Sequence, residues 1–123
     1  MRLRPLIKNI VNDVNLYPNV EINNISTNSR AIKEGSLFFA IKGSNHDGHE
    51  YISDAIKNKV SAIIANKTLK NLPVPLIKVK DTRRVLSKIA SKFYKNPSKK
   101  LKIIGVTGTN GKTTTSSLIK SIF

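Results

Sequence analysis

The sequence predicts an α/β fold built on a largely parallel sheet, and three observations carry that expectation. Short β-rich runs alternate with helically patterned segments along the chain. One run, Leu37-Phe38-Phe39-Ala40-Ile41, is continuously apolar and short, as a buried strand is. The last part of the chain reads as strand, glycine-rich turn and helix, an opening βα unit.

Taken in order, Leu6, Ile7, Ile10, Val11 and Val14 recur at helical spacing behind Pro5, a residue that a first turn tolerates. Val20 to Ile25 alternates and predicts a short strand. Ser36 to Lys42 is the buried strand candidate, entered from Gly35. Tyr51, Ile52, Ala55 and Ile56 form one face of a helix over Glu50 to Asn58. Ser61 to Ala65 and Leu76 to Val79 are further short strands. Asp81 or Thr82 can cap the next helix, with Val85, Leu86, Ile89, Ala90 and Phe93 inward, and Asn96-Pro97-Ser98 ends it. Leu101 to Val106 predicts a strand, and Thr113 to Phe123 a helix with Leu118, Ile119 and Ile122 inward. The best boundary is the Pro97 region: residues 1–97 can close one small domain, and 98–123 open a second.

Composition narrows the function classes. At 123 residues and 39% apolar the chain can bury one modest core. No apolar run approaches the ~18 residues of a membrane-spanning helix. The basic N-terminus lacks a sustained apolar stretch, so no secretory signal is expected and the reading is cytoplasmic. With no cysteine, disulfides and thiolate metal sites are excluded. The formal charge of +15 raises nucleic acid as a partner. Lysines are nevertheless scattered, without a long basic run or interleaved aromatics that would stack bases, so no specific nucleic-acid partner is expected.

The chemistry concentrates at Gly105-Val106-Thr107-Gly108-Thr109-Asn110-Gly111-Lys112-Thr113-Thr114. A strand delivers the chain to a loop in which Gly108 and Gly111 let backbone approach phosphate closely. Successive N–H groups form an anion nest at the positive end of the following helix. The P-loop pattern G-x-x-x-x-G-K-[ST] assigns Gly108, Thr109, Asn110, Gly111, Lys112, Thr113 and Thr114 to ATP phosphates. Lys112 reaches the β- and γ-phosphates as the catalytic cation, and the Thr113 hydroxyl ligates Mg²⁺. One departure stands: the strict pattern wants glycine where Val106 is, and Gly105 lies one residue early. An ordinary strand–turn–helix containing Gly-Lys-Thr is the plain alternative. A second cluster, His46-Asp47-Gly48-His49, offers ligand-type side chains, but with no further His or Cys a turn and cap role for Asp47 accounts for it better than a metal.

Gly-x-x-Gly-Thr-Asn-Gly-Lys-Thr-Thr resembles the ATP-binding loop of the Mur ligase family. Asn28-Ser29-Arg30, Gly35 to Gly43 and Asp47-Gly48-His49 are similar to that family's N-terminal substrate domain. Asp81-Thr82-Arg83 and Phe93-Tyr94-Lys95-Asn96-Pro97-Ser98 match the segment leading to the loop. The likeness runs from Ile25 to Phe123 and is strongest to members that add the third residue of the peptidoglycan stem peptide. Members adding the terminal dipeptide are the alternative. The resemblance implies an ATP- and Mg²⁺-dependent amide-forming ligase acting on UDP-MurNAc-dipeptide and an amino acid, either diaminopimelate or lysine. It implies that Thr27, Ser29, Ser44, Asn45 and His46 hold the UDP end of the substrate, although a polar surface loop explains the same residues.

The same resemblance implies that the chain is the substrate domain followed by the first strand, P-loop and helix of an ATPase domain. The family's further metal ligands, modified lysine and amino-acid domain do not follow Phe123, so the chain alone is expected to be inactive. A stand-alone P-loop module is the chief rival; it would need an acidic metal-binding strand after the loop. A basic nucleic-acid-binding module is the more remote one.

Overall fold

Four strands lie side by side in chain order in the computed structural model, which describes residues 1–123: β1 (Asn24–Ser26), β2 (Ser36–Phe39), β3 (Ala62–Ala65) and β4 (Leu76–Lys78). All three pairings are parallel, with Ile25 opposite Leu37, Phe38 opposite Ile63 and Ile64 opposite Ile77. A parallel sheet needs cover on both faces. The sequence supplies it, because β2 and β3 are fully buried at every position.

Alternation then sends successive side chains to opposite layers. Leu37, Phe39, Ala62, Ile64 and Ile77 face helices α1 (Leu3–Ile7) and α3 (Thr82–Phe93), packing with Leu3, Leu6, Ile7 and Ile89. Phe38, Ala40, Ile63 and Ala65 face α2 (Ile52–Lys57), packing with Ile52, Ala55 and Val60. Each large buried side chain contributes about 1.5–3 kcal/mol. The two layers therefore hold the sheet from both sides, and the expected α/β architecture is the observed one.

Element by element, the apolar runs and the capped helix match expectation. The Asp81 carboxylate accepts from the Arg84 N–H at 3.0 Å and starts α3. Of the expected inward face of α3, Ile89 is fully buried, while Val85, Leu86 and Phe93 pack against the same core half-buried. Three expectations need correction. The N-terminal helix is short and early. It ends at Ile7, because Asn9 turns left-handed at φ 70°, and Val14–Leu16 is a separate 3₁₀ turn. The strand expected over Val20 to Ile25 is displaced to Asn24–Ser26, its first residues forming only a bridge between Glu21 and Arg2.

The third correction concerns the C-terminal unit. Leu101 to Val106 forms no strand, since no neighbouring strand is available to take up its backbone groups. Helix α4 (Lys112–Ile122) forms as expected, but Leu118 and Ile122 are 60% and 77% exposed instead of inward, and Ile119 is half-buried. No helix is long and apolar enough to cross a membrane.

Candidate functional site

At the carboxyl ends of β1 and β2 the chain makes two turns that face each other across a cleft of about 440 Å³. Open parallel sheets bind ligands outside the carboxyl ends of their strands, and this cleft has that position. The first turn follows β1. Ser26 Oγ donates to the Asn28 carbonyl at 2.8 Å and accepts the Asn28 N–H at 3.1 Å, while Asn28 Oδ1 accepts the Arg30 N–H at 3.0 Å. These bonds close the turn on itself and present Thr27, Ser29 and Arg30 to the cleft. Ser29 is 6% exposed, and its carbonyl accepts from Asn58 Nδ2 at 3.1 Å, which ties the turn to the end of α2.

The second turn, Lys42 to Asp47, is a hairpin-like loop closed by an antiparallel bridge between those two residues. The Gly43 N–H donates to the His46 carbonyl at 2.8 Å, and the Gly48 N–H donates to the Ile41 carbonyl at 2.9 Å. Gly48 is there because nothing larger fits: a Cβ would lie 2.6 Å from the Ile41 nitrogen and 2.7 Å from its oxygen. One leg is held by Arg83 of α3, which donates to the Lys42 carbonyl at 3.3 Å. The other leg is held through Asp47. Its carboxylate accepts from Lys67 Nζ at 2.8 Å, from His49 Nδ1 at 2.5 Å and from the His49 N–H at 3.0 Å. Lys67 and then His49 hold the Asp47 carboxyl well below the usual carboxylate range. His49 Nε2 is buried without a partner. Asp47 is thus an anchor, and no group of three His, Cys, Asp or Glu side chains is placed to hold a metal ion.

The structure brings Thr27, Ser29 and His46 to one cleft, joined by Asn28, Arg30 and Tyr51. Ser44 and Asn45 are exposed at the tip of the 42–47 turn and do not line it. Sequence reasoning placed Tyr51 on a helix face and passed over its reach into the cleft. Lys67 carried no signal, because its partner Asp47 lies 20 residues away.

The P-loop residues Gly108 to Thr114 form a separate exposed turn entering α4. Gly108 and Gly111 take φ of 146° and 75°, the left-handed side that glycine permits. Gly111 caps the helix, and Lys112 Nζ folds back onto the Gly108 carbonyl. Thr113 and Thr114 stand in the first turn, where N–H groups lack helical acceptors. The residue types and order fit a triphosphate. The Lys112 amine stays with the loop through the Gly108 carbonyl, and the Thr113 side chain is exposed at the start of the helix.

The match to the Mur ligase family, catalytic domain, covers residues 21–94, and the chain belongs to that family. The matched span ends before the P-loop, so the cleft and sheet carry it.

Within the family, the chain is 42% identical over 123 residues to the UDP-N-acetylmuramoyl-L-alanyl-D-glutamate–2,6-diaminopimelate ligase of Caldanaerobacter subterraneus subsp. tengcongensis, covering 99% of this chain and 26% of that protein. Among solved structures it is similar to MurF from Acinetobacter baumannii, with TM-score 0.69, 31% identity, and 85% of this chain and 23% of that one covered. It is also similar to MurF ligase from Thermotoga maritima in complex with ADP, with TM-score 0.58, 34% identity, and 76% and 21% covered. The chain thus spans about a quarter of the length of the relatives it matches.

Proposed function

We propose that this chain is the N-terminal part of an ATP-dependent ligase that adds 2,6-diaminopimelate to UDP-MurNAc-L-Ala-D-Glu in the cytoplasm. Residues 1–97 hold the UDP end of that substrate, and residues 98–123 begin the ATP-binding domain. The observation that carries the reading is the meeting of Thr27, Ser29 and His46 in one cleft at the strand ends, upstream of a P-loop. Identity of 42% to a diaminopimelate-adding relative, against 31% and 34% to MurF structures, favours third-residue addition over dipeptide addition.

In this reading the Ser29 and Thr27 hydroxyls and the His46 ring satisfy the uracil edge or the pyrophosphate oxygens. Arg30, at the cleft margin and in no ion pair, supplies a fixed positive charge for the pyrophosphate. Ser44 and Asn45 close over the ligand from the turn tip. The Gly108 to Thr114 amides and Lys112 hold the ATP phosphates, with Thr113 holding Mg²⁺. When bound, Mg²⁺ would neutralise phosphate charge while the substrate carboxylate takes the terminal phosphoryl group of ATP, releasing ADP; the amine would then attack the acyl phosphate and phosphate would leave. The test is calorimetry with UDP-MurNAc-dipeptide. Ser29→Ala and His46→Ala should each weaken binding by about 1 kcal/mol, more if a charged oxygen is left unpaired. Unchanged affinity in both variants refutes the site.

A further inference from the structure

Away from the UDP cleft, a longer groove runs between the α1–β1 connection and helix α3. Two neighbouring hollows of about 690 and 410 Å³ lie along it, both bordered by Asn9, Ile10 and Lys88. Its wall is cationic. Arg84, Lys88 and Lys92 follow at steps of four along α3, about 6 Å apart. Lys78 and Lys80 extend the charge at one end. None of these five side chains belongs to any of the four ion pairs of the molecule, and of the five only Lys92 is engaged through its side chain, donating to the Lys8 carbonyl at 2.8 Å and the Leu6 carbonyl at 3.5 Å.

The two acids in the groove, Asp13 and Asp81, already accept backbone N–H groups, from Asn15 at 2.8 Å and Arg84 at 3.0 Å. No Asp or Glu occurs from Thr82 to Phe123, so nothing on α3 or beyond it balances the charge. The floor is apolar. Ile10, Val11, Tyr17 and Val85 are half-buried there, and Leu16 is 78% exposed.

We propose that this groove docks an extended acidic segment of a partner protein, one that alternates Asp or Glu with apolar residues. The pitch matches: alternate side chains of an extended chain lie about 6.6 Å apart on one face, close to the spacing of the cations on α3. Such a segment lays carboxylates against Arg84 and Lys88 and turns its other face onto the Ile10–Leu16 floor. A nucleic-acid strand meets the charge but not the floor, because Tyr17 is the only aromatic lining the groove and base stacking needs a series of them. A small anion leaves most of the length unfilled. The proposal does not depend on the UDP cleft, which uses none of these residues.

The experiment is fluorescence anisotropy of a labelled Glu-Val-Glu-Leu-Glu-Val-Glu peptide with the 123-residue chain, at about 0.15 M salt. Saturable binding is expected, weakened at least about tenfold by Arg84→Glu with Lys88→Glu and about threefold by Leu16→Ser. Lys33→Glu with Lys70→Glu, an equal charge change away from the groove, should leave it unchanged. On the unaltered chain, a peptide with Ser in place of Val and Leu should bind several-fold more weakly. That comparison stands even if a variant misfolds. No binding up to about 1 mM peptide, equal loss in the control pair, or equal affinity for the Ser peptide overturns the proposal. So does a thymidine oligonucleotide of matched charge that displaces the peptide at the same salt.

Discussion

Gly48→Ala tests whether the turn that carries His46 is fixed by the backbone contact behind it. The added Cβ would stand 2.6 Å from the Ile41 nitrogen, 2.7 Å from the Ile41 oxygen and 3.2 Å from the Ala40 carbonyl carbon. Ordinary contact begins at 3.4 Å, so one of the two backbones must move by about 0.8 Å. Both clashing atoms are main chain at the exit of β2, where Ala40 is fully buried and its N–H donates to the Ile64 carbonyl at 2.9 Å. A rotamer change cannot relieve the overlap.

Overpacking of this kind costs about 1–3 kcal/mol. Moving the two backbone segments apart also stretches the Gly48 to Ile41 hydrogen bond, now 2.9 Å, which adds about 1 kcal/mol. The total is about 2–4 kcal/mol. In urea, with a slope of about 1–3 kcal/mol per molar, the midpoint should fall by about 1 M or more. Gly105→Ala is the internal control, since its Cβ meets nothing within 4 Å and its φ is not left-handed. A midpoint shift no larger than that of Gly105→Ala, at unchanged slope, refutes the claim that Gly48 is held by close approach.

Lys67→Met should raise the Asp47 pKa toward its ordinary value of 3.8, as read by carboxyl carbon NMR titration. Because the folded pKa is depressed, the stabilisation is present above about pH 4 and is lost as pH falls below it; the variant should show less of this acid-dependent loss, and an unmoved Asp47 titration counts against the anchor. Ile89→Ala, at a fully buried α3 position, should cost about 2–5 kcal/mol in the same urea assay, while Asp81→Ala should cost about 1 kcal/mol through the lost cap. Ile122→Lys, at a position 77% exposed, should shift stability by less than about 0.5 kcal/mol. A larger loss would mean that α4 is packed. In a full-length version, Lys112→Ala should abolish ATP-dependent product formation while leaving UDP-substrate affinity unchanged; product at the unaltered rate would remove Lys112 from the phosphate clamp.

What could be read from the residues was mostly what short-range physics decides. Leu37-Phe38-Phe39-Ala40 has one place to go, between two covering layers, and Asp81 before an amphipathic run announces α3 at the right residue. The misreadings share a cause. Leu6, Ile7, Ile10, Val11 and Val14 do all pack on the core of the α1 and α3 layer, so their spacing reported burial correctly. It did not report conformation, because Asn9 at φ 70° breaks the helix and the later residues reach the same core from irregular backbone. Leu101 to Val106 has strand composition, but a strand is a relation between two segments. At the site, only the resemblance singled out Thr27, Ser29 and His46; their residue types alone read equally as a polar surface loop, and it is the fold that brings the three to one cleft. The Asp47–Lys67 contact joins separate loops, and no local pattern encodes it.

One wall of the cleft is the turn that follows β1, an edge strand of three residues paired on one side only. Its neighbour β2 is locked between two layers, so the two walls differ in how often they open. Amides near Ser26 to Ser29 should exchange with solvent deuterium by small local openings, whereas those of Phe38 and Ile63 wait for global unfolding. A ligand that bridges the walls stabilises only the closed form of the weaker one. Occupancy would then be recorded as slowed exchange along β1 and its turn, with β2 and β3 changing far less, and the edge of the sheet would serve as a built-in reporter of the bound state.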